Sequence, residues 1–274
     1  KVASHRQHID NLNVGITEVM QLLEDIVSHS LQLFGNETGP EVYHQALERC
    51  LDNFAAKLKS WDYHKNSSGN LRSVDDLFLV CSSSGHLVQA LQEMKKLADA
   101  GDVKLNLKPF TRFNTQCCER ILKTATESVV SKMRTAMENI KKEEVDDTHT
   151  RNLPLFSISP HEYITNAGQD LLHLFHKFEQ FFLDDNVLTA FHIALKKKIE
   201  GDEILKSVVA DVSLKVVEEF IESVGKVKTL KHAHAKQFLV DAMFLKDALF
   251  DLRFDNLDEL SKLEAELKEA VDAK

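Results

Sequence analysis

The apolar residues of this chain recur every three to four positions over nearly its whole length, and that spacing constrains its fold more than any other feature. Such a period puts them on one face of an α-helix, where a half-buried strand would alternate. The clearest stripe is Leu122, Ala125, Val129, Met133, Met137 and Ile140. Comparable stripes run through Ile16, Val19, Leu23, Ile26, Val27 and Phe34, then Tyr43, Leu47, Cys50, Leu51, Phe54, Leu58 and Trp61. Helix breakers are scarce, with 9 Gly and 4 Pro in 274 residues. The pattern therefore predicts an all-α chain of eight or so helices, built as elongated stacked helical bundles.

Local punctuation sets the expected joints. Thr38-Gly39-Pro40-Glu41 reads as a stop and restart, with Pro40 suited to a first helical position. HKNSSGN (64–70) is a loop. Ser82-Ser83-Ser84-Gly85 is a weak point in a helix spanning about 74–100, where a kink is expected. VKLNLKPF (103–110) alternates, but a lone strand has nothing to pair with, so it reads as an extended connector before a helix from Thr111. The charged run KKEEVDDTHTR (141–151) reads as a hinge, giving two domains, 1–148 and 149–274. Past it come stripes at Tyr163 to Phe181, through Phe191 and Leu195, at Leu205 to Phe220 and at Phe238 to Leu252. A final acidic helix carries Leu257, Leu260, Leu263 and Leu267.

Charge and motifs narrow the function. A net charge of −9 argues against a general nucleic-acid binder, which needs a basic face for phosphate. No apolar run approaches the roughly 20 residues that span a bilayer. The start, KVASHRQHIDN, has no signal-peptide core and no initiator Met, which reads as a piece of a longer chain. Cys50, Cys81, Cys117 and Cys118 form no CxxC, so neither a zinc site nor a disulfide framework is indicated, and a reducing compartment fits.

No phosphate-binding glycine loop, no GxSxG and no HExxH is present. His161-Glu162 starts like the last of these, but Thr165 stands where the second histidine belongs. Asp247, Asp251 and Asp255 form an i, i+4, i+8 ladder that a hard cation would suit, yet a solvated face explains it at a cost of only about 0.2–0.5 kcal/mol per pair. His173 and His176 share a face without carboxylate partners. Phe175, Phe178, Phe181 and Phe182 read as core. No catalytic, metal or cofactor-binding residue is assigned, and a helical metal-dependent enzyme is the remote alternative.

One basic stretch, KVKTLKHAHAK (226–236), stands out in this acidic chain. Lys226, Lys228, Lys231 and Lys236 would suit anionic headgroups or an acidic partner helix, in a peripheral membrane or adaptor module. An ordinary solvated loop explains the same lysines.

Two of the four prolines fall in LPLFSISPHEYITNAGQDLL (153–172). Leu153-Pro154 favours extended chain. Ser159 reads as an N-cap, Pro160 as the first helical residue and Glu162 as the acid that completes a capping box, with Ile158 and Tyr163 as a hydrophobic staple. Leu153-Pro154, Phe156-Ser157, Pro160, Glu162-Tyr163-Ile164, Asn166 and Gly168-Gln169 resemble the LP-x-FSL-x-P-x-EYI-x-N-x-GQ segment of subunit seven of the conserved oligomeric Golgi complex. The resemblance extends more loosely over about 150–265 and departs at His161, at Ala167 and after Leu172. It implies a C-terminal piece of a non-catalytic helical subunit of a vesicle-tethering complex, peripheral on the cytosolic face of the Golgi and acting in intra-Golgi retrograde transport. Implied partners are sister subunits, SNAREs, Rab GTPases and coiled-coil tethers.

Overall fold

The computed structural model describes residues 2–63, 65, 69–99, 105–140, 153–197, 200–227, 232–254 and 256–273. They are all-α. The elements are α1 (Val2–Ser60), α2 (Val74–Asp99), α3 (Lys108–Ile140), a 3-10 turn (Leu155–Ser157), α4 (Glu162–Phe181), α5 (Asp185–Leu195), α6 (Gly201–Gly225), α7 (His232–Asp251) and α8 (Asp258–Asp272). Among the described residues there is no strand, only an isolated antiparallel bridge between Lys65 and Leu71. None of the described helices is long and apolar enough to cross a membrane.

The stop expected at Thr38–Glu41 does not occur, because α1 runs unbroken through Gly39-Pro40 for 59 residues. Ile16, Leu23, Leu51 and Leu58 are all buried, and they are separated by whole multiples of seven. One heptad frame therefore passes through the proline and keeps a single stripe facing inward on both sides. That continuity outweighs the roughly 3 kcal/mol local cost of an interior proline.

The kink expected at Ser82–Gly85 is also absent. Ser73 caps α2 through its hydroxyl, which accepts from the Asp76 N–H at 3.2 Å, and the helix continues straight through the serines. Each serine finds a partner. Ser83 donates to the Leu79 carbonyl at 3.0 Å, Ser84 to Asn114 Oδ1 at 3.0 Å and Ser82 to Asp184 Oδ2 at 2.6 Å. Gly85 is where α5 comes closest. A Cβ there would overlap the Asn186 carbonyl oxygen and lie 3.2 Å from Ala190 Cβ. Helix α3 begins at Lys108, three residues before the expected Thr111, since Pro109 is tolerated in a first turn.

The chain forms two compact units, 1–121 with 181–201 and 122–180 with 202–274. They are not the consecutive domains 1–148 and 149–274. The reason lies in α5, which packs on α2 and so belongs with the first unit. In that unit Phe78 stacks on Phe181 at 4.3 Å and meets Phe182 edge-on, while Phe182 meets Phe191 at 4.9 Å. The second unit is closed by apolar faces of α4, α6, α7 and α8, with Leu171, Val216, Phe220, Leu245 and Leu260 buried. Ion pairs trim its edges, Lys132 to Asp170 at 2.7 Å and Lys246 to Glu264 at 2.7 Å.

Candidate functional site

The segment before α4 is an arm of defined shape. Pro154 is extended (φ −67°, ψ 150°), and the next residues close one 3-10 turn, with Ser157 N–H donating to the Pro154 carbonyl at 3.0 Å. The Ser157 hydroxyl donates to the same carbonyl at 2.7 Å. Ile158 is extended again (φ −95°, ψ 121°), and α4 starts at Glu162, its first bonds running from Ile164 and Thr165 N–H to the His161 carbonyl.

The expected capping box is therefore not the device used. The helix starts two residues later than Pro160, which displaces Ser159, Glu162 and the Ile158/Tyr163 staple from their positions in that motif. An acid from elsewhere takes the role. Asp241 Oδ1, on α7, accepts the His161 backbone N–H at 2.8 Å. Its Oδ2 accepts the Tyr163 hydroxyl at 2.6 Å and lies 2.7 Å from His161 Nδ1. Asp241 is fully buried, and Gln237 adds a longer bond at 3.3 Å. Four donors around one carboxylate supply what water would otherwise provide. Burial first, then the charge of Asp241 and its hydrogen bond, hold the Tyr163 phenol well above its ordinary pKa.

The same helix holds the rest of the arm. Lys236 Nζ donates to the Leu153 carbonyl at 3.0 Å, and Gln237 Nε2 to the Ser159 carbonyl at 2.8 Å. Lys236, Gln237 and Asp241 thus fasten the arm at positions 153, 159 and 161. Between these anchors the arm turns apolar groups outward. Phe156 is 91% exposed and Leu153 43%, with Pro154 exposed between them. An exposed phenylalanine on backbone held at both ends is preorganised for contact, because little entropy remains to be lost on binding.

The structure thus joins Leu153 of the signature segment to Lys236 of the basic stretch, and Ser159 and Tyr163 to Gln237 and Asp241 on the same helix. It does not assemble the four lysines into one exposed patch. Lys236 is buried at 8% exposure against the Leu153 carbonyl, so its ammonium is unavailable to a headgroup. Lys226 is exposed and paired with Glu222 at 2.6 Å, while Lys228 and Lys231 lie outside the described residues. Asp247 and Asp251 are exposed, Asp255 lies outside the described residues, and no cluster of three His, Cys, Asp or Glu among those described would hold a metal ion. His173 and His176 are exposed on α4, and His176 contacts Glu179. Phe178 and Phe182 are buried, with Phe175 and Phe181 half-buried.

Cys117 and Cys118 are buried, and Cys118 Sγ lies 3.7 Å from Cys81 Sγ. The hydrogen bond with Cys118 and burial raise the Cys81 thiol, and burial raises that of Cys117, so both stay protonated and poorly nucleophilic at neutral pH. Asp241 and His161 resemble the orienting half of a triad, in which Nε2 would be the acting nitrogen. No hydroxyl or thiol of a described residue bonds that nitrogen. The arrangement positions the arm and the start of α4.

Fold and site define a class: an all-α protein whose candidate site is a fastened arm carrying an exposed aromatic tip. The chain belongs to the family described as "Uncharacterized protein B0361.3", whose family model matches residues 7–255 and so includes the arm and its anchors. The Caenorhabditis elegans protein of that description is 26% identical over 92% of this chain and 43% of its own length. The chain thus spans less than half the length of that relative. No solved structure matches it.

Proposed function

We propose that the protein is a non-catalytic subunit of a Golgi vesicle-tethering complex, acting through protein–protein contacts in intra-Golgi retrograde transport. The observation that carries this reading is the arm, where Phe156 is 91% exposed between backbone positions fastened by α7. The arm coincides with the segment that resembles subunit seven of the conserved oligomeric Golgi complex, and the helical architecture suits such a rod-building subunit. On this reading Phe156 and Leu153 enter an apolar pocket of a sister subunit, and the protein sits peripherally on the cytosolic face of the Golgi. SNAREs, Rab GTPases and coiled-coil tethers are further partners of the assembled complex.

A lysine-based membrane contact has no comparable support, since Lys226 is committed to Glu222 and Lys236 to the Leu153 carbonyl. Purification of the intact protein from Golgi membranes tests the proposal. Co-elution with the other tethering subunits is expected, and recovery only as a free monomer overturns it.

A further inference from the structure

Within the first unit, the end of α1 and the start of α3 enclose an open cleft of about 630 Å3. Its floor is aromatic. Trp61 stacks on Phe113 at a centroid distance of 6.1 Å, and Tyr63 meets Phe113 edge-on at 5.2 Å. Its rim is cationic, with Lys59, Lys108 and Arg112 all exposed and no carboxylate among the described residues lining it. None of these three makes an ion pair with a described residue. Three uncommitted cations around an aromatic floor run against the net charge of −9.

We propose that this cleft is a docking site for a short acidic peptide segment carrying bulky apolar side chains. The charge complementarity selects an anionic partner, and the aromatic floor selects one with an apolar body. A peptide fits better than a small anion because, among the described residues lining the cleft, every polar side chain except Tyr63 and the half-buried Trp61 is exposed. The apolar surface instead lies deep and the charge lies at the edge, which is the pattern of a segment that inserts apolar anchors and leaves its acids at the rim. The volume is within the roughly 300–1,000 Å3 common to ligand sites. The cleft shares no residue with the arm, so this inference stands apart from the tethering proposal.

Trp61 is the chain's one tryptophan and lines the cleft, which makes it an internal reporter. The whole protein is titrated with a synthetic peptide in which leucine and phenylalanine are flanked by glutamates. A saturable change in Trp61 fluorescence is expected, with affinity falling as salt is added. A Lys108→Glu/Arg112→Glu variant, altered only at exposed side chains and checked for unchanged helicity, is expected to bind roughly tenfold or more weakly. The inference is overturned if the peptide gives no saturable change, if the variant binds it equally, or if a version with lysines for the glutamates binds as well. It is equally overturned if inorganic phosphate or phosphatidylserine vesicles saturate the signal while the peptide does not.

Discussion

Removing the Asp241 carboxylate leaves the Tyr163 hydroxyl and the His161 N–H without their acceptor in a buried setting. At about 1–3 kcal/mol for each unmet buried group, Asp241→Ala should destabilise the protein by about 3 kcal/mol or more. Urea unfolding measures this, and a loss below about 0.5 kcal/mol would show that the network does not hold the arm. Alkali tests the same environment. Burial, followed by nearby negative groups, raises the phenols of Tyr63 and Tyr163 above their ordinary 10.0. A raised folded-state pKa contributes stability that is complete below the unfolded value and declines as pH rises past about 10. Phenolate absorbance from these two residues should therefore appear together with loss of helical circular dichroism. Ionisation in a still-folded protein would contradict this. Asp241 is not singled out by sequence, although its position carries a signal. It lies three residues after Phe238 in an apolar stripe, where an acid must either find partners or disrupt the face. Its partners, 78 and 80 residues away, carry no sequence signal that names them.

At the scale of elements, close approach decides more than propensity. Alanine in place of Gly85 would favour an isolated helix by about 1 kcal/mol. Here the added methyl meets the Asn186 backbone, which has little freedom to withdraw. Gly85→Ala should therefore destabilise by about 2–3 kcal/mol, read from thermal or urea midpoints, and a stabilised variant would contradict the α2–α5 contact. Pro40 gives the opposite sign. In the interior of α1, Pro40→Ala should stabilise by about 1–3 kcal/mol, whereas at a helix start the substitution would change little. Both sites illustrate why element type was legible and element boundaries were not. The stripes at Leu122–Ile140 and Tyr163–Phe181 are helices in the structure. Gly-Pro and Ser-Ser-Ser-Gly carry a local cost that a long heptad frame and a tertiary neighbour respectively override.

For the whole molecule, the hydrophobic pattern gave the all-α class directly, but the grouping of helices depends on contacts distant in sequence. The charged run 141–151, read as a hinge from composition, lies outside the described residues, and helices from both sides of that stretch of sequence enter each unit. Cutting the chain after residue 148 would leave α5 without α2 and separate buried Val129, Met133 and Met137 from the unit they complete. Both pieces should aggregate or lose a sharp urea transition. Two monomeric, cooperatively unfolding halves would contradict the two-unit organisation. The arm lies within one unit, 122–180 with 202–274, and its anchors belong to that same unit, so its shape does not depend on the other.

The tethering proposal is tested most directly by a pull-down of individual Golgi tethering subunits with the intact protein and its Phe156→Asp variant. Phe156 is 91% exposed, so the variant keeps the fold while reversing the chemistry of the tip. The account predicts that the wild-type protein retains at least one sister subunit and that Phe156→Asp loses it by roughly tenfold or more in affinity. Retention of no subunit by the wild-type protein, or equal retention by the variant, would contradict it.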